Sequence, residues 1–581
     1  MTLPAADDTA AAAATVGRTL ARGASTRLWS RRALAAVCLC TCALGIWLVT
    51  TFDYGRDQGI YAVVARSMAN GGMPYRDAWD FKPPGIFVLY ALARALFGDG
   101  QTAIRLLEAL GLAGMALGMT ELARRMWGEA RIGLLAAALA ILVHAQLDFW
   151  HTAQPESFGG MLTIAALLCA APGEPRLGGE PRLGGARTAL GARRPWGWWI
   201  LCGALFGAAG LLKPPLAGGG VVVALALAVW RLRRDTGMAP RARLLDAGAP
   251  LLGIGIGGCL PVVLCAAWFA ARGALGDLHA VLFVFTPYYT AIGWENERVT
   301  GMLWWGFTEW LMTYSAVFAV GLGLLLGFRP RQAERPTVWM LSALVGVHLL
   351  GVVMQGKFFP YHYAATWPLT ALLASLGLWK LWERLERFGA PGALAFAGII
   401  GVLAVAKTAT KDVPGSFWRR ASMRLAMLGH RDVPTRDWLA SVADVHAPAN
   451  RAVAETLAAT VPESRSVFVW GFEPVIYDMS KRRPSTRFIY DVPQRVAWAK
   501  EPMRRRLMDD LAADPPAAIV VEHRDVFPMV TGDVLDSADT LLDFHELRGL
   551  IADRYALAST IEDFDVYLNR ELAQAGDATQ P

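Results

Sequence analysis

Residues 52–84 read FDYGRDQGIYAVVARSMANGGMPYRDAWDFKPP, a polar stretch that directly follows the first long apolar run of the chain. Its aspartates and its lysine are Asp53, Asp57, Asp77, Asp80 and Lys82. Carboxylate and ammonium groups are costly to remove from water, so their concentration beside a segment of membrane-spanning length indicates a functional site. This first polar loop is therefore where we expect chemistry.

The composition indicates that most of the chain does not face water. Of its 581 residues, 54% are hydrophobic and only 18% are charged, whereas ordinary soluble domains carry about 25% charged residues. Apolar runs of about 17–25 residues, long enough to cross a hydrocarbon core, recur along the sequence. We predict about eleven spans, at 33–52, 103–122, 132–149, 157–171, 196–212, 214–230, 249–271, 303–326, 338–354, 361–379 and 390–406. The segment 84–98 starts with proline and contains Arg94, which favours an interfacial helix.

Several functional classes are disfavoured by charge and by cysteine usage. The net charge of +7 is spread over loops rather than gathered on one face, so we expect no nucleic-acid partner. The cysteines fall inside the predicted spans without metal-ligand spacing and resemble small core residues. The sequence thus predicts no disulfide framework, no metal site and no cofactor.

The basic residues predict the orientation of the chain in the membrane. Arg31 and Arg32 precede the first span, which places the amino terminus in the cytoplasm and the loop 53–83 outside. Alternation from there puts the arginine-rich loops 123–131, 172–195 and 231–248 on the cytoplasmic side, as the same rule requires. The opposite loops carry Asp53, Asp57, Lys82, Glu156, Lys213, Lys357 and His362. Carboxylates that could act as general bases and cations that could bind phosphate are therefore predicted on the same, extracytoplasmic face.

The sequence divides into three regions. Residues 1–32 include an alanine-rich segment and are expected to form a disordered cytoplasmic terminus; residues 33–406 form the mainly α-helical membrane domain; and residues 407–581 form a small soluble α/β domain outside the membrane. Buried strands are predicted at Val467–Trp470, Arg487–Tyr490 and Ala518–Val521, with helices between them at 451–460, 474–482 and 502–513, an alternation typical of a parallel sheet. The repeated GEPRLGG at 173–185 is typical of a low-complexity linker.

A polyprenyl-phosphate sugar fits this distribution of charge. Its lipid tail stays in the bilayer and its phosphate lies at the surface, so an enzyme acting on it needs a cavity between helices and cations for the phosphate. It also needs a carboxylate to deprotonate the acceptor hydroxyl. Because phosphate is the leaving group, stabilising its growing charge is as important as the base.

Two motifs in the first polar loop carry a family resemblance. D-x-x-x-D-Q-G-x-Y, beginning at Asp53, and G-G-x-P-Y-R-D-x-W-D-x-K-P-P, ending at Pro84, resemble the first extracytoplasmic loop of the GT-C membrane glycosyltransferases. The nearest branch comprises proteins similar to dolichyl-phosphate-mannose–protein mannosyltransferases and to lipid A aminoarabinose transferases. Weaker matches follow in the same order at 154–156, 212–215 and 356–363, so the resemblance covers about residues 33–406.

The resemblance implies a function and a set of site residues. It implies an inverting transferase that moves a hexose or pentose from a polyprenyl-phosphate donor to a lipid, glycan or protein acceptor, in contact with membrane lipid. Asp57 would be the catalytic base, and the residues expected to bind donor phosphate or substrate are Lys82, Lys357, His362, Glu156, Lys213 and Asp53. The family commonly has Asp-Glu where this chain has Asp57-Gln58, which weakens a metal role and predicts a metal-independent enzyme. The Ala, Arg and Gly content suggests a GC-rich bacterial source, hence undecaprenyl phosphate and the inner membrane.

Plainer interpretations remain open for these residues. Asp57 and Glu156 are also suited to helix N-termini, and Lys82 and Lys357 are suited to lipid interfaces, where lysine side chains extend toward water. Asp77 and Asp80 are expected to position the loop, for example by pairing with nearby arginines. Two other functions also remain: a flippase for lipid-linked sugars, which predicts charges in mid-span and two matching halves, and a GT-C-like ligase or polymerase that transfers whole glycans.

Overall fold

The computed structural model describes residues 6–171, 194–234, 237–294, 298–314, 316–405, 413–428 and 446–571. The predicted linker repeat at 173–185 lies outside these residues.

The amino-terminal two thirds of the described chain are helical. The helices are α1 (Ala6–Thr50), α2 (Arg56–Ala69), α3 (Gly85–Phe97), α4 (Gln101–Trp127), α5 (Ala130–Gln146), α6 (Asp148–His151), α7 (Pro155–Ala170), α8 (Trp196–Leu212), α9 (Gly218–Arg234), α10 (Pro240–Ala271), α11 (Leu275–His279), α12 (Thr286–Ile292), α13 (Val299–Thr308), α14 (Ala316–Phe328), α15 (Arg335–Gln355), α16 (Trp367–Leu385), α17 (Ala390–Val405) and α18 (Val413–Met427). Single-turn 3₁₀ segments at Pro214–Ala217 and Pro360–Tyr363 occupy two of the predicted extracytoplasmic turns.

Each predicted apolar span corresponds to one or two of these helices. By length and hydropathy alone, five described helices could cross a membrane, or six if the bent pair Val299–Thr313 and Ala316–Phe328 is one span. Shorter apolar helices include α5, α7 and α8. The chain is thus a multi-pass helical membrane protein, as the fold class predicted, while the number of crossings stays a prediction.

The alanine-rich terminus differs from expectation. It was predicted to be disordered, but the structure continues helix α1 back to Ala6. Alanine has the highest intrinsic helix propensity, so a run of alanines ahead of an apolar helix extends that helix at little cost.

The carboxyl-terminal region is the predicted α/β unit. Its helices are α19 (Ala447–Thr460), α20 (Val475–Ser480), α21 (Val492–Arg495), α22 (Lys500–Ala513), α23 (Pro528–Thr531), α24 (Ser537–Thr540) and α25 (His545–Arg554). Its strands are β1 (Ser466–Trp470), β2 (Arg483–Pro484), β3 (Ala518–Glu522), β4 (Tyr555–Ile561) and β5 (Phe564–Asn569). The sheet order is β2-β1-β3-β5-β4, with β1 parallel to β2 and β3 and with β5 antiparallel to β3 and β4.

Two details of the predicted sheet are wrong. The sheet is mixed rather than all-parallel, because the hairpin β4–β5 adds two antiparallel strands after the parallel core. The segment Arg487–Tyr490 is not a sheet strand; Phe488 instead forms an isolated bridge with Trp79 of the first polar loop. Its apolar side chains are buried against that loop, with the rings of Trp79 and Phe488 6.3 Å apart.

The first polar loop therefore lies between the membrane helices and the α/β unit. Helix α2 packs on helix α20 so closely that a Cβ atom built on Gly59 would lie 2.8 Å from the backbone nitrogen of Val475. Helix α18 lies beside the end of α1, where the guanidinium of Arg424 is 4.8 Å from the ring centroid of Phe52. The predicted domain boundaries, 1–32, 33–406 and 407–581, stay predictions.

Candidate active site

Asp57 lies in the first turn of α2, and both of its carboxylate oxygens have partners. The Lys82 ammonium lies 3.1 Å from Oδ1, and the side-chain amide of Gln154 donates to Oδ2 over 3.1 Å. The side chain of Asp57 remains 20% exposed. It thus combines a fixed orientation with access for a second reactant, which a general base requires.

Gln58 holds the amino-terminal turn of α2 against the loop that contains Gln154. Its Oε1 accepts from the backbone N–H of Gly55 at 3.0 Å. Its Nε2 donates to the backbone carbonyls of Phe149, Trp150 and Thr152 at 2.9, 3.2 and 2.7 Å. An amide accepts at one end and donates at the other, whereas a carboxylate only accepts, so this geometry fits glutamine and not an ionised glutamate.

Tyr61 sets the orientation of Gln154. The Tyr61 hydroxyl donates to Oε1 of Gln154 at 2.9 Å, which turns the NH₂ group of that amide toward Asp57. Gln154 is fully buried. The sequence motif included Gln154 without assigning it a role, and Tyr61 was missed because its partner is far away in sequence.

Lys82 is enclosed by aromatic rings and carboxylates. Its ammonium is 4.8 Å from the ring centroid of Phe81 and 5.4 Å from that of Tyr61. Burial acts to lower the pKa of Lys82, but the charges of Asp57 and Asp80 outweigh burial and raise the pKa above its ordinary value. Lys82 therefore stays cationic at neutral pH.

A second lysine, Lys357, packs against a tyrosine ring next to Phe81. The Lys357 ammonium lies 3.6 Å from the ring centroid of Tyr289 and donates to the backbone carbonyl of Met529. The Tyr289 ring in turn lies 4.1 Å from that of Phe81. Burial, with a contribution from the charge of Lys82, lowers the pKa of Lys357 to about 7.

His362 is buried beside these cations. Its ring centroid is 4.5 Å from that of Tyr361. Burial, reinforced by the positive charges of Lys213 and Lys357, lowers the pKa of His362 well below its ordinary value. The imidazole is therefore neutral at physiological pH and is suited to hydrogen bonding rather than to charge pairing with a phosphate.

Glu156 and Lys213 form a second ion pair near the first. The Lys213 ammonium is 3.0 Å from Oε1 of Glu156 and donates to Oε1 of Gln355 at 2.6 Å. Glu156 is 2% exposed and feels the charges of both Lys213 and Lys82. The polar turns that are separate in sequence thus converge on one region.

Asp53 is the predicted site residue that lies apart. The backbone carbonyl of Asp53 accepts from Arg105 at 2.7 Å. Burial raises the pKa of its carboxyl, while the charges of Arg451, Arg424 and Arg105 act to lower it. Its described interactions run toward those arginines rather than toward Lys82, and its predicted substrate-binding role stays a prediction without geometric support.

A buried polar network behind the site was not predicted. Arg105 is fully buried in α4 and contacts Oε2 of Glu108 at 3.0 Å and the hydroxyl of Thr152 at 2.8 Å. Glu108 also contacts the His144 ring at 2.9 Å. The spacing of Arg105 and Glu108, three residues apart in an otherwise apolar run, was the available signal. The network fixes the loop that supplies Gln154.

The α/β unit also contributes to the loop, which the sequence did not indicate. The backbone N–H of Trp79 donates to the carbonyl of Arg487 at 2.7 Å, and the Tyr490 hydroxyl donates to Asp80 at 2.7 Å. Asp77, as expected, pairs with a loop arginine, Arg76, at 3.3 Å.

Among the described residues, no group of three or more His, Cys, Asp or Glu side chains is arranged to hold a metal ion. The predicted metal independence stays a prediction.

The arrangement as a whole offers a partly exposed carboxylate, two buried lysine side chains and a second ion pair, all close to the ends of membrane helices. Such a site can deprotonate a hydroxyl and bind a phosphate side by side.

Comparisons with known proteins bear on the family and the fold of the chain. Residues 81–173 match the sequence profile of the dolichyl-phosphate-mannose-protein mannosyltransferase family. No curated protein sequence matches the chain.

The structural comparisons cover nearly the whole chain. The crystal structure of ArnT from Cupriavidus metallidurans bound to undecaprenyl phosphate is 16% identical, covers 92% of this chain and 97% of its own, and superposes with a TM-score of 0.51. The oligosaccharyltransferase of Archaeoglobus fulgidus, at 13% identity, covers 85% of this chain and 69% of its own with a TM-score of 0.43. The ArnT comparison shows a shared fold. The predicted resemblance to the GT-C membrane glycosyltransferases of the dolichyl-phosphate-mannose–protein mannosyltransferase-like branch is thereby confirmed, in sequence over residues 81–173 and in fold over most of the chain.

Proposed function

We propose that this protein is an inverting glycosyltransferase that moves one sugar from a polyprenyl-phosphate donor to an extracytoplasmic acceptor. The observation that carries the proposal is the pair formed by Asp57 and Lys82, 3.1 Å apart, in which a partly exposed carboxylate and a buried ammonium are neighbours. In a sugar transfer, the base acts on the attacking hydroxyl while the cation acts on the leaving phosphate. The proximity of Asp57 and Lys82 therefore favours this reaction over simple binding of a ligand.

In the proposed reaction, Asp57 removes the proton from an acceptor hydroxyl. The acceptor oxygen forms a bond to the anomeric carbon of the donor sugar as the bond from that carbon to the phosphate oxygen breaks. The electron pair leaves with the phosphate, and attack from the face opposite the leaving group inverts the anomeric centre. The proton ends on Asp57 and the negative charge on the departing polyprenyl phosphate.

The cations have separate parts in this scheme. Lys82 exchanges its contact with Asp57 for one with the donor phosphate, which frees the carboxylate to act as base and balances the leaving-group charge. Lys357, whose ammonium packs against the ring of Tyr289, binds the same phosphate after leaving the Met529 carbonyl. Glu156, Lys213 and His362 are proposed to contact the sugar or the lipid phosphate from the adjoining turns.

The donor is inferred from the structural comparison, and the location from the distribution of basic loops. The ArnT structure of similar fold contains undecaprenyl phosphate, and we propose a polyprenyl phosphate of this kind as the carrier here. The inferred setting is a bacterial inner membrane, with the site and the α/β unit on the periplasmic side, as the distribution of basic loops predicts. The acceptor is a lipid, glycan or protein hydroxyl.

The test is Asp57→Asn in cells that lack the chromosomal copy. Mass spectrometry of envelope glycolipids and glycoproteins should reveal a hexose or pentose present with the wild-type protein and absent both from the deletion strain and from the Asp57→Asn strain. The amide cannot act as a base but retains the size and hydrogen-bonding shape of the carboxyl group, so the variant should reach the membrane in normal amounts. Full product formation by Asp57→Asn would refute the assignment of the base.

The same experiment separates the competing functions. A flippase would change the distribution of a lipid-linked sugar between leaflets without adding a sugar to any acceptor. A ligase or polymerase would add a mass of several sugars in one step rather than one. A single-sugar mass difference that depends on Asp57 supports the proposed transferase.

A further inference from the structure

Helix α18 lies where the membrane helices α1 and α5 end. The guanidinium of Arg424 is 4.8 Å from the ring centroid of Phe52, which follows the last turn of α1. Arg420 pairs with Asp148, just beyond the end of α5, and Arg424 lies 3.7 Å from the same carboxylate. Helix α18 also packs against α17. These contacts place α18 at the boundary of the membrane, on the side that carries the first polar loop.

One stripe of α18 faces the protein. Phe417, Ala421 and Arg424 recur at intervals of four and three residues, which places them on one side of a helix. All three are buried, with exposed fractions of 2–4%. This stripe is the face by which α18 docks on the membrane helices.

The neighbouring face of α18 is apolar and exposed. Trp418 and Leu425, two helical turns apart and so on the same side, are 38% and 45% exposed, and Leu428, one turn further on, is 63% exposed. The exposed residues Arg419 and Ser422 lie further round the helix, away from the docking stripe. A helix with an apolar face that carries tryptophan and leucine, and with arginine on its polar side, is typical of helices that lie in the plane of a membrane surface.

A lipid surface fits the apolar face better than a second copy of the chain does. The exposed apolar surface continues onto α17, where Val402 in the last turn is 67% exposed, and exposed apolar surface on a membrane helix faces lipid. Tryptophan is enriched where hydrocarbon meets water. A stable dimer buries about 800 Å² on each partner, which three partly exposed side chains do not supply.

We propose that α18 is an interfacial helix that lies on the lipid surface of the membrane. Trp418, Leu425 and Leu428 contact lipid at the boundary between headgroups and acyl chains, and Arg419 is directed toward the phospholipid headgroups. The partner of this surface is therefore the phospholipid leaflet itself.

The position of α18 also bears on the proposed active site. Asp148, which Arg420 contacts, lies in the connection between α5 and α7 that also contains Gln154. The amide of Gln154 donates to the proposed base Asp57 at 3.1 Å. An ion pair thus joins a helix that rests on lipid to the segment that orients the base.

The experiment uses nitroxide labels on single cysteines of the full-length protein, without its native cysteines, in nanodiscs of phosphatidylethanolamine and phosphatidylglycerol. Oxygen concentrates among the acyl chains and a nickel chelate stays in water, so the ratio of their effects on nitroxide relaxation reports depth. Labels at Leu425→Cys and Leu428→Cys are expected to give a ratio several-fold higher than a label at Leu557→Cys. Leu557 is the matched control because it is also apolar and 55% exposed, on the edge strand β4 of the α/β unit.

A control on the same helix tests the orientation of α18. A label at Arg419→Cys should give a lower oxygen-to-nickel ratio than the label at Leu425→Cys, because it lies on the side toward water. Ratios at positions 425 and 428 equal to that at position 557 would overturn the inference. Protection of both positions from both reagents would overturn it as well, since a second copy or another segment of the chain would then cover the apolar face.

A second measurement uses the protein with its native cysteines. A phospholipid that carries a photoreactive diazirine near the start of an acyl chain should crosslink to peptides of α17 and α18 but not to the peptide that contains Leu557. Crosslinks to α17 without any to α18 would contradict the lipid contact. Both measurements report the position of α18 whether or not the protein transfers a sugar, so their outcome is independent of the proposed function.

Discussion

Gln58 follows the proposed base at a position where the resembling family commonly has an acid. Its amide donates to three backbone carbonyls and accepts from Gly55. A glutamate here would direct a carboxylate oxygen at those carbonyls with no proton to share. The departure from the family pattern therefore has a structural cause in this chain, namely the attachment of α2 to the loop containing Gln154.

Gln58→Glu is accordingly expected to destabilise the protein. Burying a carboxylate against unpaired carbonyls should cost about 2–4 kcal/mol of unfolding free energy, seen as a lower Tm in a thermal unfolding assay of the purified protein. The control is Gln101→Glu, because the Gln101 side chain accepts a hydrogen bond from the Tyr54 backbone at 3.1 Å and a glutamate can still accept it. Equal melting temperatures for the two variants would contradict the role assigned to the Gln58 amide.

Lys357 should make phosphate binding depend on pH. Its pKa of about 7 means that the ammonium is present below neutrality and is lost as the pH rises, so binding of undecaprenyl phosphate through this residue should weaken from about pH 6 to about pH 8. In Lys357→Met that contribution is absent at every pH, while the ionisation of the phosphate itself is unchanged. The ratio of wild-type to Lys357→Met affinity, measured by titration, should therefore fall toward one.

The effect of Lys357 on folding stability changes with pH in the opposite direction to its effect on phosphate binding. In the unfolded chain a lysine titrates at about pH 10.4, so between the two pKa values the unfolded state binds more protons than the folded state. Stability then rises with pH over that interval and is independent of this group below it.

The binding prediction has a clear contrary outcome. A ratio of wild-type to Lys357→Met affinity that stays constant from acid to alkaline conditions would show that Lys357 does not contact the phosphate.

At the level of single residues, the sequence could predict which polar groups converge but not how they pair. Asp57, Lys82, Glu156, Lys213, Lys357 and His362 were all expected at one face, and the structure brings them together. Tyr490 could not be predicted because its partner lies on a different folding unit. Asp53 was predicted from its motif position alone, and its surroundings are set by Arg424 and Arg451 on later helices.

Helix α2 is the element that joins the site to the α/β unit, and its close approach to α20 depends on a glycine. A Cβ atom at Gly59 would lie 2.8 Å from the nitrogen and 3.0 Å from the Cα of Val475. Both are backbone atoms and cannot move aside as a flexible side chain would. Gly59→Ala must therefore shift one helix relative to the other.

We expect Gly59→Ala to lower the free energy of unfolding by about 1–3 kcal/mol, as overpacking does, and to reduce transfer activity by displacing the turn that carries Asp57. Limited proteolysis should also cleave the α/β unit from the membrane helices faster than in the wild type. Gly114→Ala is the matched control, since a Cβ at this helical glycine would meet no atom within 4 Å. Identical proteolysis of both variants would contradict the close packing of α2 on α20.

The elements themselves were predictable to different degrees. Long apolar runs identify membrane helices reliably because length and composition suffice, and strands β1 and β3 were recognised from buried runs of Val and Ile. A four-residue apolar run is ambiguous, however. The run Arg487–Tyr490 buries its apolar side chains against the first polar loop instead of joining the sheet.

On the scale of the whole molecule, the first polar loop is enclosed between two units that the sequence presents as independent. Arg56, beside the proposed base, contacts Glu473 of the α/β unit at 2.7 Å, and Arg66 contacts Asp478 at 3.0 Å. These pairs, with the Trp79–Arg487 hydrogen bond, require the loop and the α/β unit to lie on the same side of the membrane. The basic loops predict that this side is extracytoplasmic.

Cysteine labelling tests both parts of this topology. In a variant without native cysteines, single cysteines replace three exposed residues: Asn70 in the first polar loop, Ala512 in the α/β unit, and Gln332. Gln332 lies between the predicted spans 303–326 and 338–354, where the same alternation of spans predicts a cytoplasmic loop. A membrane-impermeant maleimide applied to intact spheroplasts should label positions 70 and 512, and should label position 332 only after lysis. Labelling of 70 and 512 from opposite sides would contradict the contacts between the loop and the α/β unit. Labelling of both only after lysis would leave those contacts intact but place the proposed base in the cytosol, away from an extracytoplasmic acceptor.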